Sequence, residues 1–205
     1  MEDDRPDAHW PLTGAETLRD DLLAAYGEAG RSYHDRRHLS GVTSRLEELD
    51  RAGAVFDRLP TQLAAWFHDA VYDGERDAEE RSATWAELAL PPYVESAVVA
   101  EVARLVRLTE SHLPEPDDRN GAALCDADLG VLALPGSTYD SYAAAIREEY
   151  DHLPDDIFRE GRAAKLDDLL ARPVLFHTDA GSRLWEAAAR SNMVEELDRL
   201  RATAS

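Results

Sequence analysis

Apolar residues recur along this chain at intervals of three and four, and no stretch alternates with a period of two. That spacing predicts an all-α protein. The clearest stripe, Leu63, Trp66, Phe67, Ala70 and Val71, predicts a helix over 61–72 that stops at Asp73-Gly74. A second, Leu39, Val42, Leu46 and Leu49, predicts a helix over 37–52. Thr13 followed by Glu16 has the form of a capping box and opens a first helix. Further helices are expected over 77–89, 94–110, 122–132, 137–151, 155–172 and 182–202, separated by breaks that carry prolines such as Pro91-Pro92, Pro114, Pro135, Pro154 and Pro173. The expected organisation is an acidic flexible arm over 1–12 and one helical domain over 13–205.

Composition narrows the chemistry. With 205 residues, 44% hydrophobic and 31% charged, the chain can bury one sizeable core. No apolar run approaches the ~20 residues a bilayer requires, and the N-terminal "MEDDRPDAHW" is acidic where a secretory signal is basic, so a cytoplasmic protein without membrane attachment is expected. A net charge of −20 disfavours nucleic acid polymers as partners. One cysteine, Cys125, gives neither an internal disulfide nor a thiolate cluster, so any metal must be held by nitrogen and oxygen.

Candidate ligands of that kind exist. His34 and His38 are four residues apart, and His38 opens an apolar-periodic stretch while His34 precedes it. His68 and Asp69 sit together in the strongest hydrophobic run; the plain alternative is a core histidine beside a capped carboxylate. Asp128 falls in the middle of the stripe Leu124, Ala127, Val131 and Leu132, where a bare carboxylate costs several kcal/mol, roughly, without a metal, a cation or hydrogen bonds. Its alternative is an internal salt bridge to an arginine. Asp126 points elsewhere, towards an adjacent face or the helix N-terminus. His38, His68, Asp69 and Asp128 together make an N/N/O/O set compatible with Mn, Mg, Fe, Co, Ni or Zn.

Other residues fit a pocket beside such a set. Thr109 and His112 continue the stripe of Val98, Val102, Leu105 and Val106, and His112 suits a substrate donor, an extra ligand or a helix C-cap. Glu79 shares a face with Ser82, Ala83 and Ala86, as a general base, a partner for a ligand histidine or part of a solvated face. Arg36 and Arg37 flank His38, as phosphate contacts or as surface arginines.

The order His, His-Asp, Asp on an all-helical chain resembles the HD-domain superfamily of metal-dependent phosphohydrolases. More closely, "YHDRRHL", "LAAWFHDAVYD", "DAEERSA", "LCDADLGVLA", "YAAAIREEY" and "ARSNMVEEL", spread from Ser32 to Leu197, are similar to a bacterial family described as predicted HD-superfamily phosphohydrolases. The resemblance implies an HD-domain-like helical bundle with a divalent metal ion on His38, His68, Asp69 and Asp128. Two departures stand out: "HDAVYDG" lacks the lysine many superfamily members carry after His-Asp, and Ala78 replaces the asparagine of a usual Asn-Glu-Glu.

The function this implies is hydrolysis of a small phosphate ester, a phosphomonoester such as a nucleotide, by a metal-activated water. Asp69 is then both ligand and orienting group, and His34 or His112 the proton donor. A di-iron oxygenase using His34 and His112 as extra nitrogens, and a non-catalytic metal- or nucleotide-binding protein, are the alternatives. Oligomeric state and substrate identity are not legible.

Overall fold

The computed structural model describes residues 9–74 and 77–202. Among these, nine α-helices and no strand are present: α1 (Glu16–Ala25), α2 (Arg36–Arg51), α3 (Arg58–Phe67), α4 (Ala78–Ala89), α5 (Ser96–Leu108), α6 (Arg119–Leu129), α7 (Gly136–Glu149), α8 (Asp155–Ala171) and α9 (Asp179–Ala202). A 3-10 turn, Gly130–Ala133, joins α6 to α7. None of the described helices is long and apolar enough to cross a membrane.

Helix α3 is the centre of this bundle. Leu63, Ala64, Ala65, Trp66 and Phe67 are all fully buried, so its last turns are apolar all round rather than along one stripe. It packs against α2, α5 and α6, while α4 lies on α5, α9 covers the 3-10 turn and α8 lies on α9. Leu39, Val42, Leu46 and Leu49 of α2 and Val102, Leu105 and Val106 of α5 complete the core.

Helix ends decide where the chemical groups fall, and here periodicity misplaces several. Asp35 caps α2 by accepting from the Arg37 and His38 backbone N–H groups, so the helix starts at Arg36 and His38 sits in its first turn. Helix α3 stops at Phe67 instead of continuing to Tyr72, because tertiary partners take over the backbone. The Arg31 guanidinium donates to the Asp69 carbonyl at 2.6 Å and the Ala70 carbonyl at 3.0 Å. Ser82 Oγ accepts the Val71 N–H and the Tyr26 hydroxyl the Asp69 N–H. At the first helix, Gly14 adopts φ 79° and turns the chain, so Thr13 is no cap; only the Gly14 N–H to Glu16 half of a box-like arrangement forms.

Two further expectations change. The sequence predicts a flexible arm through residue 12; residues 1–8 lie outside the described ones, but Trp10 packs edge-on against Trp66 at 4.8 Å and His9 Nδ1 meets Glu47 at 2.9 Å. The packed domain therefore begins by residue 9. Asp126 is fully buried, deeper than Asp128, and accepts from the His177 N–H, the Thr178 N–H and the Thr178 hydroxyl at 2.6–2.8 Å. It thereby fixes the entry into α9, where a Cβ on Gly181 would collide with its carboxylate. Asp126→Ala strips three donors of their acceptor and is expected to cost about 3 kcal/mol. Thermal melts should show a midpoint lowered by about 6–12 °C.

Candidate metal centre

His38 comes from the first turn of α2, His68 and Asp69 from the turn that ends α3, and Asp128 from the last turn of α6. Their inner atoms converge. The Nε2 atoms of His38 and His68 are 2.9 Å apart. Asp69 Oδ2 lies 3.2 Å from the first and 3.1 Å from the second, and Asp128 Oδ1 3.4 and 3.7 Å from them. Ligand atoms about 2.1 Å from one ion stand about 3.0 Å apart along an octahedron's edge and about 3.4 Å along a tetrahedron's. The 2.9–3.2 Å spacings within His38, His68 and Asp69 fit that range, and these three form a group that could hold an ion; Asp128, at 3.4 and 3.7 Å from the two histidines, stands just outside that group.

Outer hydrogen bonds orient both rings for this purpose. The Ala65 carbonyl can only accept, so His68 Nδ1 donates to it at 2.8 Å and Nε2 turns a lone pair inward. His38 Nδ1 meets the Tyr33 hydroxyl at 3.0 Å, which leaves its Nε2 facing the same point. Burial opposes charge on each member. It pulls His38 below the usual histidine value, but for His68 the Asp69 carboxylate outweighs it and holds the ring well above. Asp69 and Asp128 are likewise pushed up by burial and pulled further down, Asp69 chiefly by His68 and Asp128 chiefly by His112, so both lie well below the usual carboxylate range. Two carboxylates thus face the two histidines, a donor set whose charge a divalent cation balances.

The arginine partner envisaged for Asp128 is absent among the described residues. Asp128 instead accepts from His112, Nε2 to Oδ2 at 2.7 Å. His112 stands just past α5 with φ 54°, its N–H on the Leu108 carbonyl, so it is at once a cap and a partner of Asp128. A left-handed backbone costs a histidine about 1–3 kcal/mol, and here it aims the ring at the cluster. The Thr109 hydroxyl is committed to the Val106 carbonyl at 2.7 Å.

A cavity of about 480 Å³ has Asp69 and Asp128 in its wall, together with His34, His112, Glu79 and Thr109. The rest of its lining includes aromatic and aliphatic residues, among them Tyr142 and Ile146 of α7 and Phe158 of α8. His34 is not on a helix with His38; it lies in the loop before α2, stacked on Tyr72 at 4.0 Å. Its Nδ1 donates to Glu149 Oε1 at 2.5 Å, while the Tyr33 and His34 N–H groups donate to Oε2. Glu79 is half-buried and, among the described residues, its carboxylate has no hydrogen-bond or ion-pair partner. Arg36 and Arg37 do not line this cavity. Arg36 turns back to the Leu23 carbonyl and Arg37 to Asp35, both on the exposed side of the α2 start.

Several positioning groups escape a reading of the sequence. Tyr26, Arg31, Tyr33 and Glu149 act on the cluster or on His34 through hydrogen bonds, and Arg45 donates to the Ala127 carbonyl one residue before Asp128. Glu149 is 115 positions from His34, and nothing in "IREEY" separates it from Glu148.

Compared with protein-family models, curated proteins and solved structures, the chain matches none.

Burial works against the Glu149 charge, but His34 and the two N–H groups lower its pKa to about 2. Its unfolded value is about 4.3, so its stabilisation is complete above that pH and disappears as pH falls towards 2. Glu149→Gln is expected to be less stable than the parent by about 2 kcal/mol at pH 7. Denaturant titrations should show that gap closing between pH 4.5 and 2.

Proposed function

We propose that this cavity is the active site of a metal-dependent phosphohydrolase acting on a small phosphate ester. One observation carries the reading: two histidine Nε2 atoms, both oriented by outer hydrogen bonds, converge with two carboxylates that line a cavity of about 480 Å³. The motif resemblance to HD-superfamily phosphohydrolases supports it, as does the absence of sulfur from the donor set.

His38, His68, Asp69 and Asp128 would hold the ion. When bound, a divalent cation supplies an acidified water and offsets charge on phosphoryl oxygens. His34 has its Nδ1 held by Glu149, which leaves Nε2 to give a proton to the leaving oxygen. His112 keeps Asp128 ionised and oriented. Glu79, without a partner among the described residues, is a carboxylate available to accept a proton from water entering the site. The aromatic walls exclude water and suit an organic body attached to the phosphate. The net charge of −20 favours a small substrate over a polyanion.

A second iron would need His34 and His112, and His112 already gives its Nε2 to Asp128, the carboxylate that would face the first ion. That favours one ion and hydrolysis over two irons and oxygen chemistry. A screen of phosphorylated metabolites with Mn, Mg, Fe, Co, Ni and Zn, beside elemental analysis of the purified protein, tests the proposal. Metal at one hundred times its Kd should stabilise the parent by about 2.7 kcal/mol, read as a raised melting temperature. His68→Ala and Asp128→Ala should each lose that shift and the hydrolysis with it. An undiminished metal-dependent shift in both variants would remove the assignment.

A further inference from the structure

The chain has 22 basic residues, and Lys165 is its single lysine. It lies on α8 and lines the same cavity. Its three nearest charged neighbours on α8 are committed. Arg162 donates to Glu196 and to the Tyr142 hydroxyl, Asp167 pairs with Arg201, and Asp168 with Arg172. Lys165 alone of these makes no hydrogen bond or ion pair with any described residue, although acidic residues number 42 in the chain. The cavity therefore presents, at its solvent-exposed edge, one ammonium group uncommitted among the described residues.

Its place along α8 says what that group can reach. Seven residues on, Arg172 donates to the His112 carbonyl at 3.4 Å; seven residues back, Phe158 packs near Tyr150 at 6.3 Å. Seven residues of helix rise about 10 Å, so Lys165 stands midway along the wall that α8 makes. It pairs with neither Asp69 nor Asp128, whose charges are met by histidines. Apolar lining from Ile146, Phe158 and Leu169 accompanies it. Elsewhere the wall carries Glu79 and Glu110, which repel an anion.

From this we propose that Lys165 binds a second anionic group on the substrate, so that the ligand is a phosphate ester whose flat apolar body bears a carboxylate or another acid away from the phosphate. The proposal rests on the hydrolase reading for the position of the phosphate. Lys165 sets specificity and takes no part in bond cleavage.

Because no other lysine is present, amine acylation of the manganese-loaded protein reports on Lys165 through a single peptide by mass spectrometry. The probes are phenyl phosphate and 4-carboxyphenyl phosphate, which differ by the second anion. The carboxylated ester is expected to slow acylation of Lys165 at least about fivefold more than phenyl phosphate does. In kinetics, the parent should prefer the carboxylated ester by about tenfold in kcat/KM, and Lys165→Glu should reverse that preference. Equal protection by the two esters, or no protection by either, overturns the proposal. So does a Lys165→Glu variant that retains the parent's preference. If the parent hydrolyses neither ester yet the carboxylated one alone protects Lys165, the contact stands and the hydrolase reading fails instead.

Discussion

A buried guanidinium holds the candidate site in shape. Arg31, 8% exposed, reaches from the loop between α1 and α2 to the carbonyls of Asp69 and Ala70 just past the end of α3. Those carbonyls leave helical geometry because a charged donor satisfies them, and a hydrogen bond from a charged group is about twice as strong as a neutral one. With α3 ended at Phe67, His68 and Asp69 turn inward together, which adjacent residues on a straight helix, ~100° apart, would do less readily. Tyr26 and Ser82 complete the set by taking the N–H groups of Asp69 and Val71. The cation is thus spent on backbone carbonyls and on Glu28, and the carboxylates at the centre remain free to face the histidines.

That division of labour runs through the site. Charged groups outside the cluster orient it: Glu149 fixes the His34 loop, Arg45 grips the carbonyl before Asp128, and Asp126 fixes the entry into α9. Inside the cluster no arginine of the described residues competes. Histidines provide the partners, because a histidine can exchange its proton for a metal whereas an arginine keeps its charge at any relevant pH. A cavity built this way combines a polar floor with aromatic walls from α7 and α8.

Periodicity made part of this site visible. Asp128 stood out because a carboxylate inside an apolar stripe requires a partner, and the structure places it beside His38, His68 and His112. Asp126 was harder to read, since the same residue type on the opposite face of α6 turned out to be the more deeply buried one. Its partners, His177 and Thr178, lie about fifty positions away, and backbone N–H groups leave no mark on a sequence. His34 and His38 share helical spacing, yet Asp35 caps α2 between them and puts His34 in the loop.

By itself, then, the sequence determined the helical class, the spans of most helices and the residues whose burial demanded compensation. These follow from local spacing and from the cost of dehydrating a charge, both properties of a short window. Only the tertiary structure decided where α3 ends, which nitrogen of each histidine faces inward, and which charges are already spoken for. Those outcomes depend on groups tens of residues apart competing for the same backbone carbonyls and carboxylates. Arg36 and Arg37 look in the sequence as available to a phosphate as Lys165 does; all three are exposed, but the folded chain engages the two arginines away from the cavity and leaves the lysine at the cavity's edge without a partner among the described residues.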